Sequence, residues 1–113
     1  MGTIDYYEDG VDRPGFIHAF DGSTLKQVYK TDRPQIHKMK IWNGKRWAVA
    51  SWDWNVPADR TSLLLSSVNG YDWSLEVEIP CPHIIGMECR PEGIYLSGGK
   101  KDAFGKVFLW RPK

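Results

Sequence analysis

Short runs of β-type residues, alternating apolar and polar most regularly over 73–79, are separated by turn-forming residues every eight to twelve positions. The run Ile36-His37-Lys38-Met39-Lys40-Ile41-Trp42 leads into Asn43-Gly44, a dipeptide that accepts positive φ at both centres of a type I′ hairpin turn. The chain returns through Arg46-Trp47-Ala48-Val49-Ala50-Ser51-Trp52. A polar loop over 53–60 precedes Ser62-Leu63-Leu64-Leu65-Ser66-Ser67, a turn at Asn69-Gly70, and the alternating run Trp73-Ser74-Leu75-Glu76-Val77-Glu78-Ile79. The pattern predicts four antiparallel strands over 36–79 and carries no helical period.

The pattern then starts again. Sliding 16–39 onto 64–87, an offset of 48, superposes Gly22 on Gly70, Asp21 on Asn69, Pro34 on Pro82, Ile36 on Ile84 and Met39 on Met87 without a gap. These are turn formers and buried-type residues, the positions a repeated supersecondary unit must reuse, so the chain holds about two and a third copies of one unit. In the later copy, strands are expected over 84–89 and 94–97, a loop over 98–105 and a strand over 106–110, with no fourth strand. In the earlier copy, 15–20 and 25–29 read as third and fourth strands around Asp21-Gly22, with 3–7 as a second strand ahead of them. The expectation is one all-β domain, divided into a partial unit over 1–33, a complete unit over 34–81 and a partial unit over 82–113. Truncated units leave sheet edges with unpaired backbone groups. A homo-oligomer, or another protein chain docked on the open strand edges, is therefore expected.

Composition sharpens this picture. Six Trp, five Tyr and four Phe stand beside eleven Gly and seven Pro in 113 residues, a β-rich and turn-dense profile. Fifteen Lys plus Arg against fourteen Asp plus Glu leave a formal charge of +1, which offers no global field for a polyanion, so no nucleic-acid partner is expected. No run approaches the ~20 apolar residues of a membrane span, and 1–10 are polar and acidic. The chain is expected to be soluble and made without a signal peptide, or to be a piece of a longer one, with no membrane insertion. The two cysteines, Cys81 and Cys89, face Arg33 and Ile41 at the repeat offset, so two reduced, half-buried thiols are expected rather than a bridge.

Antiparallel units of this length, each leading from its last strand into the first strand of the next, resemble the blades of a β-propeller. Ser67-Val68-Asn69-Gly70-Tyr71-Asp72-Trp73 also resembles the Asp-box of sialidase-like propellers, which gathers a Ser, an Asp or Asn, a Gly and a Trp in the turn between third and fourth strands. The family pattern places one more residue between acid and glycine, and the earlier copy, Ala19-Phe20-Asp21-Gly22-Ser23-Thr24-Leu25, has Ala and Leu where Ser and Trp belong. The resemblance implies four-stranded blades, about two to two and a half in this chain. It gives Ser67, Asn69, Gly70 and Trp73, with Asp21 and Gly22, a structural role: the acid or amide ties the turn and the aromatic packs into the blade.

Function is less sharply written. A sialidase-like enzyme needs an arginine cluster, a tyrosine nucleophile with an acidic partner and an acid/base aspartate drawn from several blades, which two-odd blades do not supply. No Arg lies in an Arg-Ile-Pro context, and no Gly-x-Ser-x-Gly elbow is present. Glu76, Glu78 and Glu88 alternate along strands, and His18, His37 and His83 are scattered. No catalytic residue, metal or cofactor is expected. The stretch Trp52-Asp53-Trp54-Asn55, with Asp59 and Arg60 across its loop, offers what a saccharide site combines: an aromatic face for the C–H face of a pyranose, and charged and amide groups for its hydroxyls. Trp54, Asp53, Asn55 and Arg60 are the carbohydrate contacts this implies, Trp52 being core or platform. The favoured reading is a non-enzymatic structural or interaction module completed by another chain or copy, of a viral or phage tail or receptor-binding type, with a virion location. The alternatives are a lectin-like module with a glycan partner and a fragment of a sialidase-like glycoside hydrolase.

Overall fold

The computed structural model describes residues 14–53, 56, 57, 59–100 and 103–112. The protein is all-β, with antiparallel strands and no helix among these residues. Strands β1 (Gly15–Phe20) and β2 (Leu25–Thr31) form a first sheet. Strands β3 (Gln35–Trp42), β4 (Lys45–Ser51), β5 (Ser62–Ser67) and β6 (Ser74–Ile79) form a middle sheet in sequence order. Strands β7 (His83–Arg90), β8 (Gly93–Lys100) and β9 (Ala103–Trp110) form the last. The strand expected over 3–7 lies outside the described residues.

The pleat sends neighbouring residues to opposite faces, and the middle sheet uses both. Ala48, Ala50, Leu63 and Leu65 meet Ile17, with Val28 and Tyr29, from the first sheet. Trp47, Val49 and Leu64 meet Ile84, Met87, Ile94 and Leu96 from the last. This explains why β5 is buried at every position, Ser62, Ser66 and Ser67 included. Each buried Leu, Ile or Val contributes roughly 1.5–3 kcal/mol over exposure. The three sheets thus stack face to face, and edge strand β3 lies alongside edge strand β7, in a slab of 43 × 39 × 16 Å.

The repeat offset reaches into irregularities of the ladder. Between β1 and β2, Ile17 pairs Tyr29 and His18 pairs Gln27, leaving Val28 as a bulge; between β5 and β6, Leu64 pairs Val77 and Leu65 pairs Leu75, leaving Glu76. The two bulge residues are 48 apart. Asn43 and Gly44 turn β3 into β4 with φ of 53° and 74°.

One expectation is overturned. The loop expected over 98–105 is largely strand: β8 continues to Lys100 and β9 starts at Ala103, with Gly99 pairing Phe104 and Lys100 pairing Ala103. Gly98 and Gly99 suggest a loop by composition, but they serve the sheet. A Cβ on Gly98 would fall onto the His83 carbonyl oxygen, so a glycine is what lets β7 and β8 approach there.

Candidate functional site

Antiparallel order divides the molecule into two ends. The strand connections through 32–34 and 80–82 and the described ends of the β4–β5 connection gather at one, and the turns after β1, β3, β5 and β7 at the other.

At the first end, Trp52 closes β4 and is 7% exposed. Its backbone N–H donates to Pro82 O (2.7 Å), its indole N–H to Thr61 O (3.1 Å), and its carbonyl accepts from His83 Nδ1 (2.7 Å), which fixes the Nδ1–H tautomer. The Arg60 guanidinium stands 4.4 Å from the ring centroid and that of Arg33 5.6 Å. Arg33 also donates to Thr61 O (3.1 Å) and Thr61 Oγ1 (2.9 Å) and pairs with Asp32, while Thr61 Oγ1 donates to Glu78 Oε2 (3.3 Å). Trp52 is therefore the centre of a packed corner that pins the β4–β5 connection to the β2–β3 junction.

Of the four residues read as saccharide contacts, Asp53 is half-buried, its carbonyl accepting from Val56 N–H (3.4 Å), and Arg60 covers Trp52. Trp54 and Asn55 lie outside the described residues. Arg33, Thr61 and Glu78 complete the corner and were not singled out by sequence. The available signal was the position of Arg33 directly before buried Pro34, the start of a unit.

At the other end, two turns share one geometry. Asn69 Oδ1 accepts from the N–H groups of Tyr71 (2.8 Å) and Asp72 (2.9 Å); Asp21 Oδ1 accepts from those of Ser23 (2.9 Å) and Thr24 (2.8 Å) and from the Ser23 hydroxyl (3.1 Å). These donors hold the Asp21 carboxyl below its ordinary pKa, the Thr24 N–H contributing most. Gly22 and Gly70 follow at φ of 100° and 84°. The later turn is more elaborate. Ser67 Oγ accepts from Gly70 N–H (2.8 Å), Asn69 Nδ2 donates to Asp72 Oδ2 (2.8 Å), and Trp73 Nε1 donates to Gly70 O (3.0 Å) while its ring packs against the core between the first and middle sheets.

Between the middle and last sheets, at this same end, a cleft of about 460 Å³ is lined by Trp47, Trp110, Asn43, Lys45, Glu76 and Arg111, with Pro112 at its rim. Trp47 stacks at a tilt on Trp110 (5.0 Å, 54°) and edge-on to Trp42 (5.8 Å, 60°), and its indole N–H donates to Trp42 O (2.8 Å).

Both thiols are free. Cys81 is fully buried rather than half-buried, because it packs in the core between the middle and last sheets; its S–H donates to Gly99 O (3.1 Å) and burial raises its pKa, as it does that of half-buried Cys89. Among the described residues no group of three or more His, Cys, Asp or Glu could hold a metal ion. No protein-family model, curated protein or solved structure matches the chain.

Proposed function

We propose that the chain is a non-enzymatic structural or interaction module, a partial β-propeller-like stack completed by another copy or another chain. The observation that carries this reading is the outer face of the last sheet. Pairing places Tyr95 opposite Leu109 and Ser97 opposite Val107, as Trp47 lies opposite Ser66 and Val49 opposite Leu64 in the middle sheet. The middle-sheet residues are buried beneath the last sheet; on the last sheet Val107 is 68% and Leu109 38% exposed. A repeated unit thus exposes the face that its predecessor covers. The side-by-side run of β3 and β7 supports a fan of sheets radiating from a common edge. By architectural analogy alone, the module suits a viral or phage tail or receptor-binding component.

Light scattering coupled to size exclusion tests the reading. The purified chain is expected to run as a discrete oligomer with a mass that is a whole multiple of 13.0 kDa. A monomer that melts cooperatively, with a Tm independent of concentration, would overturn completion by another copy.

A further inference from the structure

The Lys45–Glu76 pair separates two hollows. On one side is the aromatic cleft of about 460 Å³, and on the other a polar hollow of about 270 Å³ lined by Ser66, Ser67, Asn69, Asp72 and Ser74. Both include Lys45 and Glu76, so the hollows adjoin across this pair as a two-part groove, apolar at the Trp47–Trp110 end and rich in hydroxyl, amide and carboxylate groups at the other.

The repeat shows that the fold does not demand this chemistry. In the first sheet the equivalent bulge holds Val28, an apolar residue packed with Tyr29 and Trp73 against the core between sheets. In the middle sheet the bulge holds Glu76. A bulge re-aims its side chain, and here it directs a carboxylate to Ser66 Oγ, which donates at 2.5 Å, and to Lys45 Nζ at 3.8 Å. Ser66 is 3% exposed and the Glu76 side chain 25%, so the carboxylate is held by a buried hydroxyl while still facing the groove. A surface lined this way suits a hydroxylated ligand better than the apolar face of another strand.

We infer that this groove binds a neutral saccharide, one pyranose ring lying against Trp110 with its hydroxyls bonded to Glu76 and Lys45, and the next ring extending toward Ser74 and Asp72. An aromatic wall covers the C–H face of a sugar, and adjacent ammonium and carboxylate groups serve hydroxyls as donor and acceptor. Because Lys45 and Glu76 offset each other, the pair selects for hydroxyls rather than for net charge. This site is at the hairpin end, opposite the Trp52 to Arg60 connection, and does not depend on the assembly proposed above.

The test is a titration of the purified chain with di- and trisaccharides ending in galactose, glucose, mannose or N-acetylglucosamine, followed by tryptophan fluorescence and calorimetry. At least one sugar should give a saturable change. Glu76→Gln should weaken binding roughly tenfold with an unchanged thermal melt, Trp110→Phe should weaken it while preserving the fold, and Trp54→Ala should leave it intact. Absence of response to every sugar overturns the inference, as does wild-type affinity in both Glu76→Gln and Trp110→Phe. A change in oligomer mass in Glu76→Gln without any saccharide binding also overturns it, since the groove then seats a strand of a partner. None of these failures touches the oligomer mass of the unmodified chain, which decides the assembly.

Discussion

Asn69 and Asp21 each hold a turn with one oxygen, but only Asp21 carries a charge. Asn69→Ala removes the acceptor for two backbone N–H groups and should cost about 1 kcal/mol in denaturant unfolding. Asp21→Asn keeps an acceptor and removes a titration. Because folding lowers the Asp21 pKa, its contribution is present above the ordinary carboxylate value and lost as pH falls through the lowered one. Thermal melts from pH 5 to pH 2 should therefore decline less steeply in Asp21→Asn than in the parent. At this scale the sequence was informative where partners are two or three residues apart, as in both turns. It was silent on Arg33, whose contacts with Thr61 span 28 positions and form only when two connections meet.

Hairpins with Asn-Gly between alternating runs were legible because local φ requirements and side-chain alternation agree there. The β8–β9 hairpin was not, since Gly-Gly followed by two lysines has the composition of a loop. What decides Gly98 is the closeness of His83 O, a contact across strands. Gly98→Ala should force β7 and β8 apart and cost about 1–3 kcal/mol, read as a lower midpoint in urea with little change of slope. The Glu76 bulge was equally hidden: by sequence Glu76 is one of a row of alternating strand carboxylates, whereas the extra residue in the ladder turns it toward Ser66 and Lys45.

Across the whole molecule, the sheets differ in how much of their surface is covered, and the outer face of the last sheet is where assembly is to be probed. Val107→Arg changes a largely exposed residue, so it should lower the oligomer mass in light scattering while leaving the circular dichroism spectrum unaltered. An oligomer indifferent to this change would be built through strand edges instead.

The middle sheet is packed on both faces through two separate cores, one shared with each neighbour. Each of these cores is therefore local to one pair of neighbouring sheets. A gene encoding such a unit can gain or lose it by duplication or deletion in steps of 48 codons, because each added sheet brings its own lining and supplies the next seat. A chain of such sheets can change length without redesigning what already folds.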